Sequence, residues 1–283
     1  MKKVPLVLSF CVLFLFIQAT SPSSFVLANE DEAPRIIPLY SAFSEILDAL
    51  DAKTTIVAKT EADTLPGLET RPSVGTHMRP NIERIIALKP SLVLQLLGRE
   101  EVSHLSRTLS KFGITVLEIP LSSFEDLWKA TFLLGEVCHQ KEKAEELVAQ
   151  WKNQLESIAQ KNHDKRIRVF YEIRERDLLA AGTNNIVNEI IQIAGGENVV
   201  TIPKKIVHLS DETVIGLDPD AYIIQKGPMN KNPKELKDRP NLTILRAARD
   251  NRVLYVDEKI FSHPGPHSIE ACAILEQWLH QKK

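Results

Sequence analysis

Residues 81–98 read NIERIIALKPSLVLQLLG, and residues 210–227 read SDETVIGLDPDAYIIQKG. The second stretch begins 129 positions after the first. Both place a Glu third, a Leu five later, a Pro two after that and a Gly eight beyond the Pro. Each opens on a residue that caps helices, Asn81 or Ser210. Each then has a short helical run stopped by Pro, which disfavours helix at the residue before it. An apolar run of strand type follows. One unit of helix, turn and buried strand is therefore written twice. Leu-x-Pro after a helix is ordinary punctuation, but four residue types at identical offsets point to two matched halves.

The flanking sequence supports this. RIIPLY reads as a buried strand, SAFSEILDALDA as a helix and TTIVAKT as a second strand. REEVSHLSRTLSKFG is a helix closed by Gly113, and ITVLEIP a strand. This alternation predicts a parallel sheet covered on both faces. From Ser123 to about Gln160 no strand signal occurs; FEDLWKATFLLGEVCHQ and the charged, amphipathic KEKAEELVAQWKNQLESIAQ are helical. The latter, at ~1.5 Å per residue, would span about 30 Å, the width of a small domain. The first pattern then restarts with RIRVFYEI, NNIVNEIIQIAGG and ENVVTI, and ends with RVLYVD and a last helix, HSIEACAILEQWLHQ. The expected architecture is α/β: two lobes joined by one long helix, with a ligand cleft between them. The boundaries fall at 29–122 for the first lobe, 123–164 for the bridge and 165–283 for the second.

The chain has 283 residues and a net charge of -2, which gives no basic footprint for nucleic acid. Residues 1–28 read as a cleaved secretory signal: MKK, an apolar core, then Val26-Leu27-Ala28 before the cut. The apolar run is short for a span of roughly 20 residues. The mature protein is expected in the periplasm. Loss of Lys2 and Lys3 takes the net charge to -4. Cys138 and Cys272 remain, expected as two unpaired buried thiols.

With RIIPLYSAFSEILDALDA, VGTHMRPNIERIIALKPSLVL, AAGTNNIVNEIIQIAGGENVV and VLYVDEKIFSHPGPHSIEACAILEQWL, the mature chain resembles the periplasmic solute-binding proteins of ABC importers. That family carries ferric siderophores, haem and cobalamin. The resemblance implies two Rossmann-like lobes with central parallel sheets, bridged by one long rigid α-helix. It implies a metal chelate as cargo, no cofactor of the protein's own, and delivery to an ABC permease dimer with its ATPase. A monomer is expected. One acidic side chain per lobe would meet arginines of the permease; by motif position these are Glu83 and Glu212. Both fall in the first turn of a helix, where dipole complementarity alone, worth ~0.3–1 kcal/mol, favours an acid.

Strand-end loops supply the candidate ligand contacts. In the first lobe these are Tyr40, His77, Arg79 and Arg99; in the second, Glu172, Arg174, Lys226 and His263, with Arg176, Met229 and His267 nearby. Tyr40 and His77 offer aromatic faces to a flat chelate. His77 stands where cobalamin-binding members carry Trp. The arginines suit carboxylates or phosphate, though any one of them also reads as a solvated surface residue. Members often carry Arg at both ends of the Pro-Gly-Pro loop, where this chain has His263 and His267. Pro264, Gly265 and Pro266 make that loop a turn, so helical metal-site spacing does not apply. The loop EADTLPGLE lacks the Tyr that haem carriers of the family often use, which weighs against haem and toward a corrinoid or ferric siderophore. Haem and a molybdate-like oxyanion stand as alternatives of the same transporter class. A secreted two-lobed enzyme is the remote one: the chain has no G-x-S-x-G, phosphate loop or H-E-x-x-H, and His208 beside Asp211 and Glu212 reads as a polar helix start.

Overall fold

Two sheets, built largely of parallel strands, carry the described residues. The computed structural model describes residues 33–98, 102–161 and 165–281. The expected signal peptide and Arg99 lie outside the described residues. The first half runs β1 (Ile36–Pro38), α1 (Ser41–Ala49), α2 (Ile82–Ala87), β2 (Leu92–Leu96), α3 (Val102–Ser110) and β3 (Thr115–Ile119). Its strands pair in the order β1-β2-β3, all parallel. The segment TTIVAKT forms no regular strand there; Ile56 makes an isolated bridge to Ile36.

Two helices follow, α4 (Phe124–Val137) and α5 (Lys141–Ala159). The second half runs β4 (Ile167–Arg174), β5 (Leu179–Ala181), α6 (Ile186–Ile193), β6 (Gly196–Asn198), β7 (Ile206–His208), α7 (Asp211–Leu217), β8 (Ala221–Lys226), α8 (Arg246–Arg249), β9 (Val253–Asp257), α9 (Glu258–Phe261) and α10 (His267–Leu279). Its sheet has the order β7-β5-β4-β8-β9, with β6 also paired to β4. Strands β6, β4, β8 and β9 pair in parallel, whereas β5 and β7 join antiparallel at one edge. At three residues each, β5 and β7 are too short to show a period in sequence.

The repeated sentence folds the same way twice. Asn81 accepts the N–H of Arg84 at 2.8 Å at the head of α2, and Ser210 accepts that of Thr213 at 3.3 Å at the head of α7. Each helix buries one residue completely, Ile85 or Val214, at the same step of the repeat. Both helices end in the left-handed region, Lys89 with φ 48° and Asp218 with φ 38°, immediately before the shared Pro. The strand that follows is central in its sheet, β2 between β1 and β3, β8 between β4 and β9.

Even the caps at the far ends match. Arg35, just before β1, donates to the carbonyls of Leu88 at 2.8 Å and Lys89 at 3.1 Å. Arg168, at the start of β4, donates to those of Leu217 at 2.6 Å and Asp218 at 2.9 Å. These cations satisfy carbonyls that a helix end leaves unpaired, and they complement its dipole. They also fix direction. The C-termini of α2 and α7 lie at the starting edge of their sheets, so the N-termini, with Glu83 and Glu212, lie toward the edge where the parallel strands end.

Helices α4 and α5 tie the halves together. Ser123 caps α4, accepting the N–H of Asp126 at 3.1 Å. At that end the carboxylate of Glu189 in α6 accepts the Phe124 N–H at 3.0 Å, while past the other end Cys138 meets Thr55 of the first half. His139, with φ 56°, turns the chain back. Lys143 near the start of α5 pairs with Asp51 of the first half at 3.2 Å. Lys161, just beyond its end, pairs with Glu276 of α10 at 2.6 Å. The 19-residue α5 is the expected strut, about 28 Å long. Helix α4 lies beside it, with Trp128 stacked on Trp151 at 6.0 Å. Residues 33–283 form one compact unit. Cys138 and Cys272 are free and buried.

Candidate functional site

Tyr40 stands two residues beyond β1 as the cap residue of α1, with extended backbone. His77 sits in a tight loop closed by the Gly75–Pro80 bridge. Gly75 has φ 89°, and a Cβ there would lie 2.8 Å from the carbonyl oxygen of Arg79. Only glycine fits that position, so it fixes the loop that presents His77, Met78 and Arg79. From the second half, His263 follows α9. The three rings converge: the Tyr40 centroid lies 6.3 Å from that of His77 and 5.6 Å from that of His263. Three of the expected contacts, two from one half and one from the other, therefore share one place.

A second grouping lies in the second half alone. Arg174, Glu175, Arg176, Pro228, Met229, Asn230, Lys231 and Asn232 line a concavity of about 630 Å³, within the range of small-molecule sites. Arg174 donates to the Arg176 carbonyl at 2.9 Å and to Asp177 at 3.4 Å. Arg176 and Lys231 are exposed. The floor is firm: Asn230 is buried, donating to the Gln225 carbonyl at 2.9 Å and accepting the Glu175 N–H at 3.2 Å. A roomier groove, about 960 Å³, runs between α5 and α10 and includes none of the expected contacts.

Two expected contacts are placed elsewhere. Glu172 is fully buried. Its carboxylate accepts a forked pair of bonds from Arg239 and one from the Tyr222 hydroxyl at 2.7 Å. Burial, then the Glu172 charge, pushes the Tyr222 hydroxyl well above its usual range. With its oxygens committed and no exposed surface, Glu172 is part of the core rather than a face offered to cargo. Lys226 turns its ammonium over the ring of Tyr255, 4.1 Å from the centroid. Arg79 is exposed on the His77 loop. Glu83 and Glu212 are exposed at matching positions, and the Ser210 hydroxyl holds the Glu212 carboxyl below its usual range.

Sequence reasoning missed two buried acids. Glu258, at the first step of α9, accepts the Met229 N–H at 2.9 Å and faces His263 at 3.7 Å, so it joins the ring cluster to the basic concavity. Burial works against its charge, but the bonds from His263 and Met229 outweigh it and hold its pKa below the usual value. Glu45, on α1, faces Lys259 and His267 of the second half. Burial raises its pKa, moderated by His267 and Lys259. A strand-end position signals Glu258; nothing in the sequence marks Glu45. Among the described residues, no three His, Cys, Asp or Glu side chains converge as a metal site, and no helix is long and apolar enough to cross a membrane.

Two α/β lobes, a helical tie and rings gathered from both sides define a two-lobed solute-binding protein. The chain belongs to the periplasmic binding protein family, whose model matches residues 36–260. It is 28% identical to an uncharacterized ABC transporter substrate-binding lipoprotein of Bacillus subtilis, over 88% of this chain and 81% of that one. It is 24% identical to a vitamin B12-binding protein of Vibrio parahaemolyticus, over 88% and 90% of the two chains. It is 27% identical to a high-affinity heme uptake system protein of Staphylococcus aureus, over 80% of each. In fold it is similar to a periplasmic heme-binding protein of Vibrio cholerae, with a TM-score of 0.79 and 22% identity over 88% of this chain and 99% of that one.

Proposed function

We propose that this protein is the receptor of an ABC importer, binding a metal chelate between its lobes and passing it to the permease and its ATPase without chemistry of its own. One observation carries the reading. Aromatic and imidazole rings from both halves meet at Tyr40, and Glu258 links that meeting point to a concavity rimmed by Arg174, Arg176 and Lys231. Rings suit the flat or apolar face of a chelate, and guanidinium groups suit its acidic or phosphate arms. The names of the relatives fit: one binds vitamin B12 and another serves heme uptake.

Corrinoid and ferric siderophore form the first reading. Haem is the second, favoured by the two imidazoles beside Tyr40, since imidazole is a common axial ligand and ring neighbour of haem iron. Calorimetric titration with cyanocobalamin, haemin, ferrichrome and molybdate separates them. One chelate should bind at or below about 1 μM, near -8 kcal/mol, and Tyr40→Ala should weaken it about tenfold. Binding of molybdate alone, or of none of the four, overturns the reading.

A further inference from the structure

The cluster around Glu45 joins the halves at the rim of the same cleft. We propose that Glu45 is a positioning residue, a latch that clamps the α9–α10 segment of the second half onto α1 and so sets the separation of Tyr40 and His263. Glu45 is 8% exposed. Lys259, on α9, reaches it at 3.5 Å and also touches Thr64 of the first half at 3.4 Å. His267, at the head of α10, faces it at 3.8 Å. Between them the Pro-Gly-Pro turn is seated directly on α1: a Cβ at Gly265 would stand 3.1 Å from a Glu45 oxygen and 3.3 Å from the Ala42 Cβ. Burying an acid on this helix gives no advantage to the first half by itself, because a lone buried carboxylate is costly unless paired. Among the described residues its ion-pair partners, Lys259 and His267, both come from the other half.

The spacing suits a latch better than a permanent joint. At 3.5–3.8 Å the contacts are held by charge more than by short hydrogen bonds. Lys259 is one-third exposed, so parting the halves would return both charges to water. The remaining acids nearby have their own commitments: Asp63 accepts the Ser44 hydroxyl, Glu258 accepts the Met229 N–H, and Glu270 faces the other nitrogen of His267 at 3.8 Å. Tyr40 lies one residue before α1, and His263 lies within the clamped segment. Cargo entering between those rings must work against the clamp.

The test uses spin labels on Lys111→Cys and Lys204→Cys, both exposed and one in each half. Cys138 and Cys272 are buried, with thiols pushed up by burial, that of Cys138 to about 11, so they compete poorly for the label. Pulsed distance measurements on the cargo-free protein compare the parent with Glu45→Gln, Lys259→Met and Glu45→Asp. Gln and Met should each shift the distribution to longer separations, Asp should restore most of the parent distribution, and the Gln/Met double variant should add little to either single one. Chelate release, measured for whichever probe binds, should quicken about tenfold in the Gln and Met variants. Distances in both variants that coincide with the parent would overturn the latch. The release arm rests on the cleft being the cargo site. The distance arm does not, so a failure of each reading is separately visible.

Discussion

At the scale of single residues, burial and partners decide which candidates remain. Glu172 lies two residues before the end of β4, where a cleft contact and a core acid look alike in sequence. Its partners Tyr222 and Arg239 come 50 and 67 residues later, too far for any local pattern to announce them. Removing one member of a buried, hydrogen-bonded ion pair leaves the other uncompensated and costs about 3–5 kcal/mol. Glu172→Gln should therefore lower stability in urea denaturation by several kcal/mol, while the folded fraction keeps its cargo affinity. Weakened affinity with intact stability would return Glu172 to the cleft. That Tyr40, His77 and His263 lie together was legible because strand ends and the loops beside them share one edge of an α/β sheet. Glu45 was not, because its partners belong to the opposite half and no helical period marks an inter-lobe contact.

At the scale of elements, the doubled helix–turn–strand unit was readable because capping, Pro punctuation and apolar runs are local chemistry. The antiparallel β5 and β7 were not, since pairing between three-residue strands is settled by tertiary contacts. The unit also makes its two turns comparable. Lys89 and Asp218 both adopt left-handed backbone, which costs a side-chain-bearing residue about 1–2 kcal/mol. Lys89→Gly should raise stability by about 0.5–1 kcal/mol, read as a shift in denaturation midpoint. Asp218→Gly should not, because that carboxylate accepts both the Arg246 N–H at 2.9 Å and its guanidinium at 2.7 Å. Those bonds hold the Asp218 carboxyl below its ordinary value. Its contribution is thus present above the usual Asp range, near pH 4, and fades only as pH falls through the lowered value. Equal gains at the two positions would show that the Arg246 link adds nothing.

At the scale of the whole molecule, Arg35 and Arg168 orient α2 and α7 alike, so both helices start toward the edge where the strands end and the rings gather. The exposed acids Glu83 and Glu212 stand at those starts. If they meet arginines of a permease, the double variant Glu83→Arg/Glu212→Arg should abolish cargo uptake by whole cells while calorimetric affinity stays within about twofold of the parent, since rim charges steer partners more than they set buried contacts. Uptake at the parental rate would leave them as ordinary dipole-complementing residues. The halves and their tie were foreseeable from a long stretch without strand signal. The return of α4 beside α5 rests on the reversal at His139 and on tryptophan packing, neither of which a composition shift encodes.

The paired helices carry one more implication. The backbone crosses between the lobes along a structure pinned at both extremities, by Lys143 to Asp51 and by Lys161 to Glu276. Such a spar should resist folding like a jaw, leaving small changes in lobe separation of the kind the spin labels read. A transporter meeting this receptor would find nearly the same silhouette whether the receptor is full or empty. Telling the two apart would then fall to the cargo itself, or to minor shifts at the rim, and empty receptors would compete for the same berth.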